Sequence, residues 1–140
     1  MKKQLLLAGL VLLLVTGFSA CKKETSFEKK TLRGKLVGKW LVNKIDIVTT
    51  GGSTVSTTYT SSDYLEFKDT KTDDFELSLG TTNRTIGAWS TLADDVSLYL
   101  DFSAKDLDCK VTTITETKLQ FTGTVVGSNP KVTETYYLSR

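Results

Sequence analysis

The sequence predicts an all-β fold of eight antiparallel strands. From Gly38 onward, apolar residues recur with a period of two in short runs, as half-buried strands require. Seven clusters rich in Gly, Asn, Asp, Ser and Thr separate those runs at hairpin-like intervals. Past the leader, no stretch carries the three-and-four spacing of a long amphipathic helix.

The chain starts with a segment that is not part of the domain. Met1 to Ala20 has a basic start at Lys2 and Lys3, an apolar run from Leu5 to Val15, and a small-residue end at Gly17, Ser19 and Ala20. Eleven residues are too few for a bilayer core of about 30 Å, which takes roughly 20, so the run reads as a signal rather than an anchor. Lys2 and Lys3 are its only charges and account for the whole net charge of +2. The remainder is neutral, which excludes a strong field for nucleic acid. The chain has no histidine, which removes Ser-His-Asp and Cys-His nucleophile systems and every imidazole metal site.

Residues 21–31 read as a solvated tether, with six charges between Lys22 and Lys30 and Phe27 as the one large apolar side chain. Thr31 to Val37 suits a short helical turn. In the first strand, Trp40 and Val42 share one face while Ile45 and Ile47 share the other. Either a bulge near Asn43-Lys44 switches faces or the strand is buried on both sides, and the bulge is the preferred reading. Ten of the fourteen residues from Thr49 to Ser62 are Ser or Thr. They form either a flexible loop or a hairpin arm centred on Gly51-Gly52, the arm being preferred because Thr suits strands and Gly-Gly suits primed turns.

The remaining alternations are Leu65 and Phe67; Phe75, Leu77 and Leu79; Val96, Leu98, Leu100 and Phe102; Leu119, Phe121 and Val125; and Val132, Tyr136 and Leu138. Turns are expected at Thr49–Ser53, Lys68–Asp73, Gly80–Asn83, Ala93–Asp95, Ser103–Asp106, Glu116–Thr117 and Gly127–Pro130. Pro130, the sole proline, precedes the last strand, where its missing donor does no harm.

Phe18-Ser19-Ala20-Cys21 resembles a bacterial lipobox, with Phe18 where that family has Leu. The resemblance implies that Cys21 receives a diacylglyceryl group, that the leader is cut after Ala20, and that the new amino terminus is acylated. The alternative is an ordinary secreted protein with a chance cysteine. Lys22 rather than Asp after the cysteine implies the outer membrane, on its periplasmic face or at the cell surface. Lipidation of Cys21 leaves Cys109 as the only thiol and no intramolecular disulfide, and a Cys21–Cys109 bond would contradict it.

Gly38-Lys39-Trp40, followed by Leu65-Glu66-Phe67, Gly87-Ala88-Trp89-Ser90, Val111–Ile114 and Leu119–Phe121, resembles the short lipocalin-like domains of Gram-negative lipoproteins. Residues 32–140 are then expected to close into an eight-stranded antiparallel up-and-down barrel of the calycin type. In such a barrel the last strand pairs with the first, so the chain end lies beside Trp40. Lipocalins pack a basic residue on that tryptophan. Arg140 takes the role here, unless it is a frayed terminus.

Trp40, Phe67, Trp89, Glu134, Tyr136 and Arg140 are the candidate ligand-binding or barrel-floor residues. Glu134 shares parity with Tyr136 and Leu138, points inward, and needs a partner if buried. Lys44 on the neighbouring first strand is one, and solvent at the barrel's end is the alternative. Asp73-Asp74, Asp94-Asp95 and Asp106/Asp108 fall in turns, where solvation is expected to keep them ordinary carboxylates. Tyr59, Tyr64 and Tyr99 are expected on the surface, either as an aromatic patch for sugar or protein or, the preferred reading, scattered singly.

The expected protein is a monomeric, membrane-anchored lipoprotein that is not an enzyme, takes no cofactor, metal or nucleic acid, and binds a small apolar or amphipathic ligand. The alternative is a structural or interaction lipoprotein whose barrel is filled by its own side chains. Cavity volume distinguishes the two.

Overall fold

The computed structural model describes residues 25–140. The leader, Cys21 and the lipobox-like motif lie outside these residues. The strands are β1 (Gly38–Thr49), β2 (Thr54–Thr58), β3 (Tyr64–Phe67), β4 (Asp74–Leu79), β5 (Asn83–Thr91), β6 (Ser97–Asp101), β7 (Asp106–Ile114), β8 (Lys118–Val125) and β9 (Val132–Ser139). A single 3-10 turn (Phe27–Lys29) and one short α-helix, α1 (Leu32–Leu36), precede them.

Neighbours from β3 to β9 pair antiparallel in sequence order, and β1 joins β3 on one edge and β9 on the other. The result is the expected closed, eight-position up-and-down barrel. The second position is divided: β3 pairs with Gly38–Leu41, whereas β2 pairs with Lys44–Val48 in a hairpin arm around Gly51-Gly52. Between them, Thr60–Asp63 loops out. Buried Asp63 accepts from the Thr60 N–H at 2.7 Å and the Gly80 N–H at 2.6 Å, which ties the interruption to the β4–β5 turn. Because β4 pairs only with β3 and β5, β2 has no second neighbour among the described residues, and all five of its residues are exposed.

The register of β1 against β9 shifts between Val42 and Lys44. This bulge adds one residue to the first strand, so that Trp40 and Val42 below it and Ile45 above it are all buried. It also turns Lys44 outward, onto Asp46 at 2.8 Å and over the Tyr137 ring at 4.2 Å. Val96, expected inside, is instead exposed, because β6 starts one residue later and Asp94 caps the turn ahead of it.

Aromatic pairs fill the lower interior. Phe67 meets Trp89 edge-on with centroids 5.1 Å apart, Phe75 meets Phe102 at 4.7 Å, and Phe121 stacks on Tyr136 at 4.7 Å. Phe75 fits only because Gly87 lies opposite it: a Cβ there would sit 2.6 Å from the ring and 2.1 Å from the Asp101 carbonyl oxygen.

Helix α1 closes the end. Thr31 caps it by accepting from the Gly34 N–H, and Leu32 and Leu36 are buried. The Trp40 indole N–H donates to the Leu36 carbonyl at 2.8 Å. The Arg33 guanidinium lies 4.7 Å from the Trp89 ring and pairs with Asp69 and Asp73. The Asp95 carboxylate accepts from the Leu32 N–H.

Arg140 completes the floor. Its guanidinium carbon is 3.9 Å from the Trp40 ring centroid and 5.7 Å from that of buried Phe27. Its Nε donates to the Glu116 carbonyl at 2.8 Å. Gly38 takes φ of +115°, which a side chain would resist, and it lies against the Arg140 guanidinium. The glycine of the Gly-x-Trp spacing is thus demanded by its backbone conformation, beside the cation that covers the indole.

One ion-pair cluster staples the outer wall. Glu76 points away from the lumen yet is only 4% exposed. It accepts from Arg84 Nε and Nη2 at 2.8 Å each, Lys68 Nζ at 2.9 Å and the Tyr64 hydroxyl at 2.5 Å. These bonds, that to Arg84 first, hold its carboxyl well below the usual range.

Trp40→Ala should cost about 3 to 5 kcal/mol, a large share of a total stability of about 5 to 15 kcal/mol. Arg140→Ala should cost about 0.5 to 2 kcal/mol, and a urea-denaturation double-mutant cycle should show the two coupled. A cycle closing to zero would deny the floor contact. The depressed folded-state pKa of Glu76 contributes stability above its unfolded value of about 4.3, and this is lost as pH falls through the folded value. Wild type should therefore lose more stability below about pH 4 than Glu76→Gln does, and parallel acid curves would refute the assignment.

Candidate functional site

Above the aromatic filling, the bulge and the β9 alternation aim Ile45, Glu134 and Tyr136 into the barrel from adjacent strands, with Ile47 and Leu77 completing that side. There the side chains no longer meet, and a cavity of about 250 Å3 remains. Its apolar wall is Ile45, Ile47, Leu77, Leu79 and Phe102. Its polar groups are Tyr59, Thr85, Lys105, Glu134 and Tyr136, with Ser103 and Ala104 at the rim.

Glu134 is the fixed centre of this polarity. The residue is 4% exposed on a strand paired on both edges. Oε1 pairs with the Lys105 ammonium, and Oε2 accepts from the Tyr136 hydroxyl at 2.8 Å. The partner is thus Lys105 from the β6–β7 turn and not Lys44, which the bulge has turned outside. Burial, reinforced by the Glu134 charge, pushes the Tyr136 phenol well above its ordinary pKa and keeps it a donor. Burial also raises Tyr59, with smaller contributions from the Asp63 and Glu134 charges.

The six candidate residues separate into two groups. Trp40, Phe67, Trp89 and Arg140 belong to the closed end, where each is packed against protein; only Glu134 and Tyr136 reach the cavity. Sequence reasoning missed Lys105 and Tyr59. Lys105 sits in a turn with no periodicity to orient it. Tyr59 was readable in principle: it shares parity with Val55 and Thr57, which pair with the inward Ile47 and Ile45. The three tyrosines do not make one surface set, because Tyr59 enters the cavity while Tyr64 lies outside against Glu76.

Of the carboxylates expected in turns, Asp74 lies instead at the start of β4 and Asp106 and Asp108 in β7, while those that do sit in turns act in structure. Asp73 and Asp95 take positive φ and hold α1. Asp94 departs from the ordinary behaviour expected of it: hydrogen bonds from the Ser97 hydroxyl, the Ser97 N–H and the Val96 N–H hold its pKa below the usual range. Cys109 is buried against Gly123, and burial pushes its thiol up to about 12, which suppresses the reactive thiolate.

No family model and no curated protein matches the chain. Among solved structures, a deswapped triple mutant of bovine odorant binding protein aligns at 16% identity with a TM-score of 0.47. The alignment covers 76% of this chain and 74% of that one.

Removing one member of a buried ion pair leaves the other without a partner. Lys105→Ala should destabilise the barrel by about 1 to 3 kcal/mol, and adding Glu134→Gln should recover most of that loss. Additive losses in thermal or urea unfolding would show that the two groups do not act as a pair.

Proposed function

We propose that the protein is a lipid-anchored, lipocalin-like binding protein that holds a small amphipathic molecule in the upper barrel. The observation that carries this reading is the cavity, which has one apolar wall and one cluster of buried, hydrogen-bonded polar groups. Such a division suits a ligand with an apolar body and a single polar head. At about 250 Å3, the space is below the roughly 300 to 1,000 Å3 of drug-sized sites, which restricts the ligand to a compact one. The anchor rests on the sequence around Cys21, since two or more acyl chains supply stable membrane attachment. No step of this reading requires catalysis.

A second reading, a barrel with no ligand that serves as a structural or interaction module, draws on the aromatic pairs that already fill the lower interior.

Native mass spectrometry of protein extracted from membranes without denaturation should show an added small-molecule mass, and Leu79→Trp, which fills the cavity, should remove it. A bare protein mass under every extraction condition would favour the filled-barrel reading. Cys21→Ala should abolish fatty-acid labelling, retain the leader and release the protein from membranes. Labelling that persists in this variant would refute the anchor.

A further inference from the structure

The ion pair inside the cavity is asymmetric. Glu134 belongs to a strand held on both edges, and its side chain is almost wholly covered. Lys105 belongs to the short turn between β6 and β7, closed by the Phe102 N–H donating to the Lys105 carbonyl at 2.9 Å, and its side chain is 34% exposed. The carboxylate is therefore a fixture and the ammonium is a visitor on a flexible four-carbon stem. Among the described residues, Lys105 is the only charged partner of Glu134.

Charge balance restricts which head group such a site accepts. A buried carboxylate stripped of its cation is strongly destabilising. An anionic ligand would put a second negative charge into an apolar cavity whose cation is already engaged. A neutral head would leave the pair intact and gain little from it. An ammonium can replace Lys105 on Glu134 and keep the cavity neutral, while the displaced lysine moves into water that it already touches. The rings of Tyr59, Phe102 and Tyr136 line the same space, and aromatic faces attract a cation. The Lys105 ammonium, 5.5 Å from the Phe102 centroid, already occupies such a position.

We propose that the cavity takes a small amine in its ammonium form, bound by Glu134 and Tyr136, with Lys105 acting as a tethered plug that the ligand displaces. This assignment rests on the binding-protein reading and adds to it the chemical class of the ligand.

The test uses three probes of one carbon skeleton, n-pentylamine, pentanoate and 1-pentanol, titrated calorimetrically into the full-length protein in nanodiscs, with empty nanodiscs subtracted. Pentylamine should bind at least tenfold more tightly than either of the others. Lys105→Gln should tighten pentylamine several-fold without affecting pentanol, and Glu134→Gln should erase the preference for the amine. Pentanoate binding most tightly and being lost in Lys105→Gln, or all three probes binding alike, would overturn the amine assignment while leaving a lumen-binding protein. Failure of every probe on the unmodified protein would overturn both. The ranking on unmodified protein decides the matter even if Lys105→Gln does not fold.

Discussion

The whole architecture depends on β1 being paired along both edges. A strand at an open edge is free to lean or slip, but one locked to β9 on one side and to β3 and β2 on the other has a fixed register. The bulge between Val42 and Lys44 is how this strand meets two demands at once: it bends enough to close the barrel and still turns its apolar residues inward on either side of the bend. Closure then delivers the rest. It brings Arg140 to Trp40 at one end and sets Glu134 opposite Ile47 at the other.

The two ends of the barrel are built differently. At the closed end, rings and α1 bury one another, and the Trp40 and Arg140 donors are engaged. At the other end the side chains stop short of one another, and a buried ion pair sits where an apolar contact would be simpler. Replacing such a pair with hydrophobic groups of similar volume is often neutral or stabilising, so packing stability alone does not account for its presence here. The Glu76 cluster gives the contrast: its carboxylate is equally covered but lies on the outer wall, where three partners saturate it.

Much of the fold was legible because strand parity is a strict physical rule. The inward positions of Phe67, Phe75, Leu100, Phe121 and Tyr136 followed from alternation alone, and the β1 bulge followed from the break in alternation after Val42, whereas a second register shift, between Val111 and Thr113 of β7, had no such mark. The contact between the chain end and Trp40 was legible through closure. The cavity was only half legible. Glu134 could be placed on the inner face because it lies in a regular strand, whereas Lys105 lies in a turn, where side-chain direction is set by the local backbone. The interruption at Thr60–Asp63 was hidden because a run of Ser and Thr carries no apolar contrast to mark where one strand ends and the next begins.

The burial of Phe27 has a consequence for how the molecule would stand on a surface. This ring, expected from the sequence to belong to a solvated tether, is instead held at the closed end, against Arg140 and Lys35, and five residues, or six Cα-to-Cα steps, separate it from Cys21. At about 3.3 to 3.6 Å per residue, that leash reaches no more than about 20 Å, less than the thickness of a bilayer's hydrocarbon core. A lipid on Cys21 would therefore hold the closed end close to the headgroups and leave the cavity at the far end of the barrel. Molecules would then enter from the aqueous side, and the bilayer would serve as a mooring rather than as the source of the cargo.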